Sequence, residues 1–211
     1  MNKTKQNILS KALELYNRDG VSSVSIRQLS QAVGISHSNL IYHFPTQEDI
    51  ILELHDLLLQ KAVELNKSLV QNVSPLKSLY STSIIGFTIV YDFRFFFNEL
   101  HYISNAFSKV KDILRKVEEV RSAMYKNIIA ELIATDVLRS EEFEGEFDDL
   151  IVRIKIFSDH WYESSSIYDD LSKDEKIYKY SRLLMQHFYP YLTEKGRNEY
   201  KTIQFTTTKP H

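Results

Sequence analysis

The sequence has no cysteine, which excludes disulfide staples, thiolate metal sites and cysteine nucleophiles. Glycine and proline are scarce, five and four in 211 residues, and so few breakers favour helices over turn-rich β architecture. No stretch approaches the roughly 18 consecutive apolar residues of a membrane-spanning helix, and the greasiest run, Ile84 to Val90, is far too short. The opening MNKTKQNILSKALEL carries no apolar core of the kind a secretory signal needs, so a soluble, cytoplasmic protein with no membrane partner is expected. Catalytic signatures are missing as well: there is no HExxH, G-x-S-x-G, Walker A or G-x-G-x-x-G pattern. His160 and Glu163 share a helical face with Asp159 beside them, but a metal site needs three or four well-placed ligands. No enzyme, catalytic residue, metal or cofactor is therefore expected.

What is present is a core and an uneven charge. Apolar residues make up 43%, enough for a packed interior without staples. The net charge of −2 does not point to nucleic acid, but residues 1–47 hold Lys3, Lys5, Lys11, Arg18 and Arg27 against Glu14 and Asp19. A head of +3 on a remainder of −5 places the attraction for phosphate at one end of the chain.

Apolar spacing is helical throughout, with no alternating run long enough for a strand. Ile8, Ala12, Leu15 and Tyr16 share a face, as do Ile50, Leu54, Leu57, Leu58, Leu65 and Leu69. Helix starts are marked by Thr4, by the capping pairs Ser25/Gln28, Thr46/Asp49 and Ser172/Glu175, and by Ser74-Pro75. Together these predict an all-α protein with helices near 4–19, 25–33, 36–43, 47–72, 75–91, 93–103, 107–134, 146–168, 173–191 and 194–201. The acidic run Glu141, Glu142, Glu144, Glu146, Asp148 and Asp149 reads as a solvated loop leading into a helix N-terminus. The tail 206–211 reads as frayed.

The stretch Val24–Phe44, VSIRQLSQAVGISHSNLIYHF, carries the chemistry. Gly34 supplies the reversal between two short helices, because the position after a helix end often needs positive φ. Ile26, Leu29 and Val33 seat the first, Ile35 plugs the junction, and Leu40 and Phe44 anchor the second. That leaves His37, Ser38, Asn39, Ile41, Tyr42 and His43 facing outward on a helix of about two turns with no acid to repel phosphate. Such an edge matches the donor and acceptor pattern of the DNA major groove. Asn39 can pair bidentately with adenine, His37 can donate to guanine, Ser38 suits either base, and Tyr42 can cover a thymine methyl or reach phosphate. His43, Thr46 and Gln47 can meet phosphates, while Arg27 and Gln28 lie near the backbone or groove edge. An ordinary three-helix packing unit is the alternative that spacing alone leaves open.

These residues resemble the amino-terminal domain of the tetracycline-repressor (TetR) family. The matching positions are Ser25-Ile26-Arg27-Gln28-Leu29-Ser30, Gly34-Ile35-Ser36, Asn39-Leu40-Ile41-Tyr42-His43-Phe44 and Gln47-Glu48-Asp49, without a gap across about the first 55 residues. Two positions depart from the family pattern: Ile41 replaces its usual Tyr and Gln47 its usual Lys. The loss of a cation predicts a weaker grip on phosphate, and Ile41 is left to meet a thymine methyl. The resemblance implies a DNA-binding domain over 1–47, a helix 47–72 connecting it onward, and a regulatory and dimerisation domain over 48–205. It also implies a homodimer that binds a palindromic operator in double-stranded DNA and represses until a small ligand releases it. A helical protein-interaction module with a degenerate DNA-binding head is the alternative function.

In the body, Phe147, Leu150, Ile154, Phe157 and Trp161 form one stripe, and Ile177, Tyr180, Leu184, Phe188 and Tyr191 another. Each is either internal core or core plus a four-helix interface between two copies, formed by the helices near 146–168 and 173–191. The middle of the chain is rich in aromatics, which either fill the core or wall a cavity for a small apolar or aromatic ligand. On the second reading Phe87, Tyr91, Asn98, His101, Tyr102, Tyr125, His160 and Trp161 are candidate lining residues.

Overall fold

The computed structural model describes residues 2–67, 69 and 73–205. Among these it contains eleven α-helices: α1 Lys3–Asp19, α2 Ile26–Val33, α3 His37–His43, α4 Gln47–Lys67, α5 Pro75–Asp92, α6 Arg94–Asn98, α7 Leu100–Ala106, α8 Ser108–Ala134, α9 Glu146–Tyr168, α10 Lys173–Phe188 and α11 Glu194–Lys201. The sole extended pairing among the described residues is an isolated bridge between Leu138 and Leu192. Residues 68 and 70–72 of the expected helix 47–72, and the tail 206–211, lie outside the described residues. No described helix is long and apolar enough to cross a membrane.

Several helix boundaries differ from expectation, and three of the differences have an identifiable cause. The cap of α1 is Asn2, whose side chain accepts from the Thr4 amide at 2.9 Å, so the helix begins before Thr4. The segment expected as one helix over 93–103 is two, broken at Glu99 (φ −116°, ψ 26°). The Glu99 carboxylate accepts from the Val21 amide and the Ser22 hydroxyl, 78 and 77 residues away, so the break is made by a tertiary contact. Finally, α10 stops at Phe188 and tightens into a 3₁₀ turn over Tyr189–Tyr191, where Pro190 has no N–H to continue the ladder.

The chain divides into two compact units. The first comprises 1–63 and 92–117 and is therefore larger than the expected head 1–47. Its core is Ile8, Leu9, Ala12, Leu15 and Tyr16 of α1 with Leu29, Leu40, Phe44, Ile50, Ile51, Leu54, Phe95 and Phe96. Polar ties reinforce it. The Asn17 side chain donates to the Asp92 carbonyl at 2.8 Å and accepts from the Phe95 amide at 3.0 Å, while Lys61 pairs with Asp92 at 2.7 Å.

The second unit comprises 64–91 and 118 onward. Of the two stripes noted in the sequence, Phe147, Leu150, Ile154, Trp161, Ile177, Tyr180, Leu184 and Phe188 are buried, while Phe157 and Tyr191 are half-buried. At its centre the Trp161 ring lies 5.1 Å from Phe87 and 5.0 Å from Tyr180. Arg121 and Asp159 join α8 to α9 at 2.8 Å, and Lys155 adds Glu118 and Ser122. The acidic run is not simply solvated. Glu146 is buried and takes a two-pronged bond from Arg139, both prongs 2.7 Å. That bond, with the Glu142 amide, holds the Glu146 carboxyl down to about 2. At the other end of α9, hydrogen bonds from Lys179 and Tyr180 lower the Asp169 carboxyl.

Candidate nucleic-acid interface

The geometry of α2 and α3 follows from their caps. Ser25 accepts from the Gln28 amide while the Gln28 side chain accepts from the Ser25 amide, a reciprocal box that satisfies two free donors. At the far end Gly34 adopts φ 77°, ψ 31°, with its N–H bound to Gln31 and the Ile35 N–H bound to Ser30. Ser36 then caps α3 by accepting from the Asn39 amide at 3.1 Å. A second box, Thr46 with Asp49, opens α4.

Seven-residue α3 is split sharply by exposure. Leu40 is fully buried, and Phe44 beyond the helix end is buried under the Lys5 ammonium, 5.2 Å from its ring centre. Burying each stabilises the seat of α3 by about 1.5–3 kcal/mol. His37, Ser38, Asn39 and Ile41 are exposed, and Tyr42 is 83% exposed. His43 is half-buried, with the Tyr42 ring edge-on at 5.2 Å. Ser36, Ser38, Asn39, Tyr42 and His43 line a shallow open depression. The helix has no acid in its first turn and no Lys or Arg at all, so its outer face offers hydrogen bonds rather than fixed charge.

The remaining expected contacts split. Arg27 is exposed; Gln28 and Thr46 are exposed but their side chains are engaged in capping boxes. Gln47 is half-buried and turned inward: its side-chain amide donates to the Val21 carbonyl at 3.0 Å and the Val24 carbonyl at 2.9 Å. It also hydrogen-bonds Tyr16, whose hydroxyl burial pushes up to about 12. Gln47 thus braces the loop before α2, a role that spacing could not reveal because its partners are carbonyls more than twenty residues back.

The eight candidate ligand residues are divided between the two units. Asn98, His101 and Tyr102 belong to the first unit and are exposed, His101 beside Asn105 and Tyr102 edge-on to Phe107. Phe87, Tyr91, Tyr125, His160 and Trp161 belong to the second. Phe87, Tyr125 and Trp161 are buried, and Tyr91 stacks edge-on to Tyr162 at 5.3 Å. His160 is exposed and faces Glu163 at 3.9 Å. No group of three or more metal-binding side chains occurs among the described residues.

A capped helix pair whose second member turns an uncharged polar edge outward, followed by an all-helical body, defines a helix-turn-helix DNA-binding transcription regulator. Residues 8–54 match the family described as bacterial regulatory proteins, tetR family, and residues 59–200 match TetR, bacterial transcriptional repressor. The chain belongs to the TetR family of transcription regulators. Among curated relatives, the HTH-type transcriptional regulator AcrR of Shigella flexneri is 35% identical over 54 residues, 26% of this chain and 25% of that protein. The alignment thus spans only about a quarter of that relative. A TetR-family regulator from Marinobacter aquaeolei VT8 superposes with a TM-score of 0.82 at 20% identity, over 93% of this chain and 95% of the other. A transcriptional regulator from Saccharomonospora viridis, in complex with choline, gives 0.73 at 18% identity, over 89% and 97%. At these identities the two structures speak for the fold.

Proposed function

We propose that the chain acts in the cytoplasm as a homodimeric repressor, that α3 reads each half of a palindromic operator, and that a small ligand releases it. The observation that carries this reading is the division of α3 into a buried anchor, Leu40, and an exposed polar edge, His37, Ser38, Asn39 and Tyr42. Asn39 offers the donor and acceptor that adenine requires, Ile41 meets a thymine methyl, and His43 approaches phosphate. Arg27, with Lys3 and Lys5 of α1, supplies the attraction for the backbone that α3 lacks. Residues 1–47 form the reading head, and the helices from residue 48 onward serve regulation and dimerisation.

One two-turn helix reads only a few base pairs, so useful selectivity requires two, held roughly 34 Å apart by a two-fold axis. The outer face of α9 supports such pairing. Val152, Ile156 and Ile167 recur there at helical spacing, 48%, 60% and 67% exposed, with His160 and Glu163 between them and Tyr168 alongside. This stripe is the face opposite the one that packs inward, and the larger aromatic stripe masks it in the sequence. For the ligand, the support is the aromatic centre of Phe87, Trp161 and Tyr180, where the buried Trp161 indole N–H has no hydrogen-bond partner among the described residues. An apolar or aromatic molecule with a hydrogen-bond acceptor fits that chemistry. The family description of residues 59–200 as a repressor favours repression.

The test is selection of bound fragments from total genomic DNA by the purified chain. Two half-sites in inverted repeat, with centres about one DNA turn apart or a multiple of it, are expected. Recovery of no sequence above background at low salt would reject the DNA reading and favour an interaction module.

A further inference from the structure

The loop between α1 and α2 is held from two sides. The Val21 carbonyl accepts from Gln47, and the Val21 N–H donates to the Glu99 carboxylate. The same carboxylate accepts from the Ser22 amide at 3.3 Å and from the Ser22 hydroxyl. Glu99 stands at the break between α6 and α7, in the segment that returns to the first unit after α5. Its approach depends on Gly20: a Cβ there would lie 2.9 Å from the nearer carboxylate oxygen and 3.0 Å from the carboxyl carbon. Gly20 also has φ 85°, so both its backbone and its missing side chain suit this contact. One helical turn earlier Asn17 ties α1 to the Asp92 carbonyl and the Phe95 amide, and Glu48 accepts from the Lys109 amide at 2.8 Å.

We propose that Glu99 is a positioning residue for DNA reading: it clamps the loop 20–22 so that α2, and α3 packed on it, are presented at a fixed angle. The proposal rests on the reading of α3 as the DNA-contacting helix. The loop runs directly into Ser25, the cap of α2, and α2 contacts both α1 and α3. With Gln47 holding its carbonyls and Glu99 its amides, the loop has little freedom to tilt. Without the carboxylate the amide ends are released, while the hydrophobic seat of α3 on Leu29, Leu40 and Phe44 remains. Phosphate attraction tolerates small tilts, whereas bidentate base contacts do not. Loss of the clamp therefore lowers selective binding more than non-selective binding.

The experiment uses the full chain at a temperature where wild type and variant are both folded. The wild type first selects its preferred fragment from genomic DNA; failure at that step rejects the DNA reading itself, before any variant is made. Binding is then compared on that fragment and on a scrambled duplex of equal length. Glu99→Gln, which keeps a neutral acceptor but removes the charge, is expected to lower the ratio of the two affinities by about tenfold, the scale of exchanging charge-assisted for neutral bonds. The scrambled duplex should bind nearly as before, and the Val21 and Ser22 amides should exchange faster. Ser22→Ala, an exposed position that leaves the carboxylate in place, gives a smaller drop of about threefold. It also keeps the question answerable should Glu99→Gln fail to fold. In the double variant the effects should be less than additive, since both act on one contact. A selectivity ratio unchanged in either variant, or full additivity, would overturn the proposal.

Discussion

The exposed faces of α3 and α9 are built on opposite principles. On α3 the buried side is a single leucine and the outer side is polar, from His37 to Tyr42. On α9 the inner side is mainly aromatic and aliphatic, interrupted by Ser158 and Ser165, yet the outer side is also apolar at Val152, Ile156 and Ile167. A helix that leaves hydrogen-bonding groups uncovered is suited to a wet, polar partner such as a base edge. One that leaves β-branched residues uncovered is suited to a dry partner such as a copy of itself.

Four changes press on that contrast. The largest concerns the anchor: Leu40→Ala should destabilise the first unit by about 2–5 kcal/mol, read by urea unfolding, and abolish DNA binding with it. If stability falls by less than 1 kcal/mol, α3 does not depend on its leucine. Next, Ile156→Asp should shift sedimentation from dimer to monomer by removing roughly 1.5–3 kcal/mol of burial per copy, with helicity unchanged. A dimer that survives would place the interface elsewhere. Asn39→Ala should weaken operator binding by about 1–3 kcal/mol at adenine-containing positions while leaving unfolding untouched. Equal loss on every sequence would reassign Asn39 to phosphate.

The smallest effect is a pH dependence confined to α9. The folded Glu146 carboxyl is held near 2, below its ordinary value of 4.5, and that of Asp169 is lowered too. A depressed carboxyl contributes stability that is complete above the unfolded value and is lost as pH falls from about 4.5 toward 2. Amide exchange at the ends of α9 should accelerate across that window, and Arg139→Met should remove most of the change near Glu146. An α9 whose exchange protection ignores pH would show that Arg139 and Lys179 do not restrain it.

Local signals were legible in the sequence, and long-range ones were not. Ser25/Gln28, Thr46/Asp49, Ser172/Glu175 and Gly34 all act within four or five residues of themselves, so their spacing sufficed to locate helix ends and the reversal between α2 and α3. Leu40 and Phe44 were legible for the same reason. Glu99 was not, because the helix break it makes depends on a loop 77 residues earlier. Gln47 has the family position of a phosphate contact, but its orientation is set by the Val21 and Val24 carbonyls.

The inward turn of Gln47 limits how this regulator can be retuned. A lysine at that position looks like a simple route to tighter adhesion, one added cation at the start of α4. An ammonium that swings out to the DNA, however, abandons two carbonyls that no other side chain described here caps, and the loop ahead of α2 slackens as the charge arrives. Engineers seeking a stronger grip would do better to add the cation at Gln31, which is already exposed and lies outside the reading edge of α3. The same trade discourages drift at residue 47 in any descendant of this chain that keeps Val21 and Val24 in their present turn.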